Sequence, residues 1–379
     1  MFSPSQLALG EECLLRTVLG STAGTRSLRA HPLAALGRVF HELVEMALRG
    51  RLPRDRRVEQ NVGRALDALL DREDRRLAEE WGGDNPPRLR KLLPPMVWRR
   101  KRRAVLNLAE KYAARAIRHR GSSATTIREL KDVPAAGAWP EVRLEASALR
   151  LHGRADLIER SGGGVVVRDL KTGRVQTKAG DILPHIMRQM RLYGAMVREI
   201  LPAAPVSLIV DHGVETAVSF TEADQSEVRA WLAAVLQRLP ADCEVDAQAL
   251  ASPGQACEAC AYRHVCPTYR EAAPGWWREE SAVRMPLDTW GDVVAVAAEP
   301  DGLTTLTLRD AAGRLVKVFG LSSFRLIDVN EGDPIWLFGL RTRDRRGGPA
   351  LWRQPRNFCE VADDDPFVRA WTVQVFTGL

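Results

Sequence analysis

The stretch His152-Gly153-Arg154-Ala155-Asp156-Leu157-Ile158, the turn Ser161-Gly162-Gly163-Gly164 and the run Val165-Val166-Val167-Arg168-Asp169-Leu170-Lys171-Thr172-Gly173 read as two strands joined by a glycine turn. Successive strand side chains alternate between faces, so Asp169 and Lys171 point the same way while Leu170 points back into the core. If the two strands pair as a hairpin, Asp156 comes alongside. Two carboxylates and an ammonium at one sheet edge are poor core material, because unpaired buried charge is costly. A divalent cation and a phosphate together resolve that conflict: Mg²⁺ takes carboxylate oxygens, and the lysine contacts the phosphate or orients an attacking water. The bland alternative is a surface hairpin with an Asp–Lys pair worth little to stability. The chain uses 48 Arg and only 7 Lys, so a Lys at position 171 suggests a compact point charge rather than a planar fork.

Outward from this hairpin, a period of two runs through Val142, Leu144, Ala146, Leu149 and Leu151. Further strands are expected at 206–210 and 214–220, with helices at about 181–200 and 222–238. The order helix, three strands, helix, strand predicts a mixed α/β core. Upstream, Leu36, Val39, Phe40, Leu43, Val44 and Ala47 mark an amphipathic helix at 32–49 opened by Pro32, with His41 on it. Two more helices, around 59–80 and 95–118, flank the breaker run Gly82-Gly83-Asp84-Asn85-Pro86-Pro87. Of the net charge of +7, residues 49–120 contribute 21 basic against 10 acidic side chains, so the rest of the chain is slightly acidic. Such a segment suits a polyanion, though an Arg-rich composition would also place arginines on any solvated helix.

Taken together, G-R-A-D-L-I, D-L-K-T-G, His41 in G-R-V-F-H-E-L-V-E, and Gln189 and Tyr193 in R-Q-M-R-L-Y resemble the RecB-type branch of the PD-(D/E)XK nuclease superfamily. The resemblance spans about residues 1–270 and keeps the family's order of elements. It implies a restriction-endonuclease-like α/β core with a helical insertion at about 50–120. It also implies that Asp156, Asp169, the Leu170 carbonyl oxygen and His41 ligate Mg²⁺ or Mn²⁺, and that Lys171 is the catalytic lysine. Gln189 and Tyr193, four apart on a helix and so on one face, would orient the lysine and the DNA backbone. Glu141, in P-E-V-R-L-E, matches a less specific acidic position. Leu170 stands where the family often has Tyr, a departure that leaves the chemistry intact because only its backbone is used.

Cys257, Cys260 and Cys266 form C-x₂-C-x₅-C, a spacing that suits a metal loop better than a disulfide framework. Cys13 resembles the single N-terminal cysteine that, with three C-terminal ones, holds a [4Fe–4S] cluster in several RecB-like nucleases. Structural Zn²⁺ on the same four ligands is the competing reading. Cys243 and Cys359 are expected to be ordinary small residues.

After a linker at 271–286, residues 287–379 are expected to form a small OB-like β-barrel, with strands at 292–298, 304–309, 315–319, 334–340 and 350–360. Its candidate nucleic-acid face holds Phe319, Phe324, Trp336, Phe338, Arg341, Arg343 and Trp352, although most aromatics in so small a barrel serve as core. Protein docking is the other role open to it. The 45% apolar and 27% charged composition excludes disorder, collagen and coiled coil. Neither a leader pattern over residues 1–15 nor a membrane-length apolar run is visible, which predicts a cytoplasmic protein without membrane contact.

The function expected from the resemblance is a Mg²⁺/Mn²⁺-dependent deoxyribonuclease, an exonuclease on single strands or ends. It would serve DNA repair or recombination, or anti-phage, CRISPR-type defence. No G-x₄-G-K-[ST] loop is present, so a partner helicase or ATPase would supply unwinding. The alternative is a non-cleaving DNA-binding or docking subunit of a larger repair or defence complex, and the intact acidic and lysine set argues against it.

Overall fold

The structure is a computed structural model that describes residues 1–379 apart from 23, 29–31, 54–56, 82–87, 92, 94, 119–128, 172, 240–245, 277–287, 300–301, 324–325, 327, 341–373 and 378–379. The chain divides into two compact units, the first of residues 1–21, 32–73 and 89–245 and the second of 22–31, 74–88 and 246–379.

The first unit is built on a five-stranded sheet in the order β1-β2-β3-β4-β5, comprising β1 (Gly137–Ala146), β2 (Leu151–Ser161), β3 (Gly164–Leu170), β4 (Val206–Asp211) and β5 (Glu215–Val218). The expected hairpin forms: β2 pairs β3 antiparallel from Ser161 opposite Gly164 to Leu157 opposite Arg168. Gly162 and Gly163 both take positive φ, +58° and +82°, as a tight two-residue hairpin turn requires. β3 and β4 pair in parallel and the other neighbours antiparallel. The crossover between those parallel strands is α6 (Pro184–Ile200), which packs on all five strands.

Before the sheet come α1 (Pro4–Gly10), α2 (Leu14–Ser21), α3 (Pro32–Leu48), α4 (Val58–Trp81) and α5 (Pro95–Arg118); α7 (Glu222–Arg238) follows it and packs on α6. Among the first-unit elements, the observed helices fall within a few residues of the expected ranges because each carries an apolar stripe at helical spacing: Leu36, Val39, Phe40, Leu43, Val44 and Ala47 are all buried on α3. β3 is covered on both faces. Val165, Val167 and Asp169 share the face under α6, and Arg168 and Leu170 share the other, which explains why its V-V-V run lacks alternation.

The second unit holds α8 (Ala247–Leu250), the cysteine loop, α9 (Pro267–Trp276) and a second five-stranded antiparallel sheet in the order β10-β9-β6-β7-β8. Its strands are β6 (Thr289–Ala298), β7 (Leu303–Asp310), β8 (Leu315–Ser322), β9 (Pro334–Phe338) and β10 (Gln374–Phe376). Four of them fall on expected strands, the fifth expected strand at 350–360 lies outside the described residues, and β10 pairs with β9. Among the described residues β8 and β10 do not pair with each other, and no closed barrel is seen. Val293, Leu306, Leu308, Val316, Val318, Ile335 and Leu337 form its core.

Asp288 is the hub of this unit. Its carboxylate accepts from Arg263 Nε (2.6 Å) and Nη2 (3.1 Å), Tyr269 OH (2.6 Å) and Gly339 N (2.8 Å), joining the cysteine loop and α9 to β9. Phe338, one of the expected base platforms, is fully buried with its ring against Trp290, His264 and Phe376, so it is core. Trp336 is half-buried; Phe324, Arg341, Arg343 and Trp352 lie outside the described residues, as does the side chain of Phe319.

Candidate active site

The register of the first sheet lines up the acidic residues. Continuing the β2–β3 pairing past Leu157 and Arg168 sets Asp156 opposite Asp169, and the β1–β2 pairing sets Glu141 opposite Asp156. A row of three carboxylates therefore crosses three adjacent strands. Glu141 takes a left-handed backbone, φ 56°, unusual for a residue with a side chain and a sign of local strain at the site.

Both aspartates of the row are held by neighbours. The Leu170 amide donates to Asp156 Oδ2 at 2.6 Å. Lys171 Nζ lies 3.0 Å from Asp169 Oδ1, 2.8 Å from Oδ2 and 3.3 Å from Gln189 Oε1, and Gln189 Nε2 donates back to Asp169 Oδ1 at 3.1 Å. Asp169, Lys171 and Gln189 thus close a triangle. Tyr193 lies one turn after Gln189 on α6, and its hydroxyl donates to the Arg154 carbonyl at 2.9 Å. Gly153 makes that approach possible, since a Cβ there would sit 3.1 Å from Tyr193 Cε1 and 3.0 Å from Pro4 Cδ. From α3, His41 Nδ1 reaches to 4.0 Å of Asp156 Oδ2.

The electrostatics follow from burial. Loss of solvent, and then repulsion from Asp169, hold the Asp156 carboxyl well above the usual carboxylate range. Burial, and then Lys171, lower the His41 pKa and favour the neutral imidazole. Burial followed by Asp169 and Asp156 raises the Tyr193 phenol, so it stays a hydrogen-bond donor. Burial, then Glu45 on α3, raises Glu141.

A family model described as the PD-(D/E)XK nuclease superfamily matches residues 1–267. The chain belongs to that superfamily. No curated protein and no solved structure matches it. Members of the PD-(D/E)XK superfamily are generally nucleases that typically use a divalent metal, and the mixed α/β core with its acidic row and lysine agrees with membership.

The donor set fits such a PD-(D/E)XK cation in its chemistry: two carboxylates that repel each other, a backbone carbonyl and an imidazole held neutral. Asp169 Oδ2 is buried and, among the described residues, has no aligned hydrogen-bond donor, although Lys171 Nζ lies 2.8 Å away. As the side chains stand, no three His, Cys, Asp or Glu among the described residues group tightly enough to hold an ion. At the acidic row, Lys171 and Gln189 contact Asp169, and the Leu170 amide contacts Asp156.

Cys13 lies in the first unit; Cys257, Cys260 and Cys266 are buried in the second. Gly254 N donates to Cys257 Sγ and Tyr269 N to Cys266 Sγ, both at 3.4 Å. Cys243 and Cys359 are outside the described residues.

Two parts of the neighbourhood were not anticipated. His185 precedes Gln189 by one turn on α6, and burial and then Lys171 lower its pKa; a spacing of four from Gln189 was its signal. On the reverse face of the sheet, Lys111 and Tyr112 of α5 meet Asp211. Position 111 carries one of only 7 lysines in the chain, the same scarcity that marks Lys171.

Proposed function

We propose that this protein is a Mg²⁺/Mn²⁺-dependent DNA nuclease of the RecB-type branch, acting as an exonuclease on single strands or ends in repair, recombination or anti-phage defence. The observation that carries the reading is the Asp169–Lys171–Gln189 triangle beside Asp156 at the end of a β-hairpin. In this reading Asp156, Asp169, the Leu170 carbonyl and His41 hold the divalent cation. That cation, when bound, supplies positive charge to the scissile phosphate and lowers the pKa of water. Lys171, oriented by Asp169 and Gln189, adds a fixed positive charge where negative charge develops on the phosphate. Tyr193, tied to the Arg154 carbonyl, fixes the α6 side of the site against β2. Exposed Arg99, Arg100 and Arg103 on α5 supply phosphate contacts.

The reading extends to the rest of the chain. Residues 1–270 form the nuclease domain, 271–286 a linker and 287–379 an OB-like accessory domain. Cys13, Cys257, Cys260 and Cys266 hold a [4Fe–4S] cluster, with Zn²⁺ the alternative, and a partner ATPase supplies unwinding. The N–H donors on Cys257 and Cys266 support a metal-bound thiolate loop. Among the described residues no helix is long and apolar enough to cross a membrane.

The test is incubation of the pure protein with end-labelled single- and double-stranded DNA in Mg²⁺, in Mn²⁺ and in EDTA. Progressive shortening from an end, abolished by EDTA, is the expected result. Intact DNA under every metal condition would remove the assignment.

A further inference from the structure

The proposed lysine does not stand on Asp169 and Gln189 alone. Its main-chain N–H donates to the Asp211 carbonyl at 3.0 Å, the rung that follows Leu170 opposite Asp211 in the parallel β3–β4 ladder. Asp211 is completely buried, and both of its carboxylate oxygens are held. Oδ2 accepts from Lys111 Nζ and from Tyr112 OH, each at 2.8 Å, and Oδ1 accepts from Gly213 N at 3.1 Å. Lys111 also bonds Glu215 at 2.6 Å, Glu215 pairs with Arg168 Nη1 at 2.9 Å, and Arg168 Nε pairs with Glu159. Burial acts against the Glu215 charge, but hydrogen bonds from Lys111 and Arg168 outweigh it and bring its pKa down to about 2.

This network covers the face of β3 opposite the acidic row. Stability alone is a poor reason for it, since a buried ion pair is often no better than apolar side chains of the same volume. What such a pair supplies is a unique geometry. Here that geometry fixes the carbonyl that holds Lys171, and it does so from α5, the helix whose first half carries the run Arg99 to Arg103. We infer that Lys111, Tyr112 and Asp211 are positioning residues for the reaction, setting the end of β3 so that Lys171 Nζ meets Asp169 and Gln189. The inference rests on the reading of Lys171 as the catalytic lysine.

The experiment compares wild type with Asp211→Asn, Lys111→Met, Tyr112→Phe, Lys111→Arg and Lys171→Ala in the full-length protein. It measures single-turnover cleavage of an end-labelled single-stranded oligonucleotide at saturating protein with Mg²⁺. DNA Kd is read in Ca²⁺ by fluorescence anisotropy, and every rate is taken well below each variant's Tm. Lys171→Ala serves as the reference for the site. Asp211→Asn and Lys111→Met should lower the rate by about 10- to 100-fold, the loss expected of a catalytic group displaced by about 1 Å. Their Kd should stay within about twofold, and Lys111→Arg should recover most of the rate. Tyr112→Phe, which removes one hydroxyl and keeps the packing, should show a smaller loss of the same kind and guards against Asp211→Asn failing to fold. Wild-type rates in folded Asp211→Asn, Lys111→Met or Tyr112→Phe, beside an inactive Lys171→Ala, would overturn the positioning inference alone. So would a loss confined to Kd. An active Lys171→Ala would instead overturn the reading beneath it.

Discussion

Asp156 is placed where its own charge is penalised, first by burial and then by Asp169. A carboxyl whose pKa is raised in the folded chain binds a proton there that the unfolded chain has already released. Stability contributed by that protonation is present at low pH and is lost as pH rises from the ordinary carboxylate value through the raised one. Asp156→Asn keeps an acceptor for the Leu170 amide and removes the charge. In metal-free protein it should raise Tm by about 2–5 °C at pH 7 to 8 and flatten the fall of Tm with pH above the ordinary carboxylate range. Thermal melts by circular dichroism from pH 4 to 8 check this, and a lower Tm at every pH would contradict it. At this scale Asp169 and Lys171 were legible because strand alternation puts them on one face, whereas Gln189 and Tyr193 came from the family resemblance, their spacing of four adding only that they share a helix face. The left-handed backbone at Glu141 and the Asp211 clamp were not, since both arise from cross-strand register and from a helix about 100 residues away in sequence.

Among the elements, α5 serves two ends. Tyr112 is buried against the sheet, whereas Arg99, Arg100 and Arg103 are exposed near the start of the helix. Some of the remaining basic charge nearby is already paired: Arg38 with Glu73 and Arg90 with Asp71, each at 2.9 Å, and Arg72 with Glu42. The large basic excess of the sequence thus overstates the charge available to DNA, and the exposed trio should carry much of the salt dependence. Replacing all three by Gln should reduce the slope of log K against log salt by about 0.7–0.9 per lost phosphate contact. Anisotropy titrations between 50 and 200 mM salt measure it, and an unchanged slope would mean a merely solvated face. Helices and the first strands of the first sheet were legible from their periods, and β3 from its β-branched run. Four strands of the terminal sheet were legible from alternation, whereas the edge β10 is a three-residue strand too short for any period.

At the scale of the whole molecule, Asp288 binds the cysteine loop and the terminal sheet into one unit through Arg263, Tyr269 and Gly339. If the loop holds the proposed metal, losing it should therefore loosen more than the loop. Anaerobically purified protein should be brown with about four irons per chain. Cys257→Ala should lose the colour and speed amide exchange in β6 and β9 as well as in the loop. Stoichiometric zinc without visible absorption would replace the iron assignment. The claim on which everything else depends is that Asp156, Asp169 and Lys171 form one hydrolytic centre, and the most direct test is the Mg²⁺-dependent cleavage rate of Asp156→Ala, Asp169→Ala and Lys171→Ala against wild type. Each should lose several orders of magnitude while its circular dichroism spectrum is kept, because groups acting on one transition state fail together. A cleaving wild type with full activity in any of the three would contradict it.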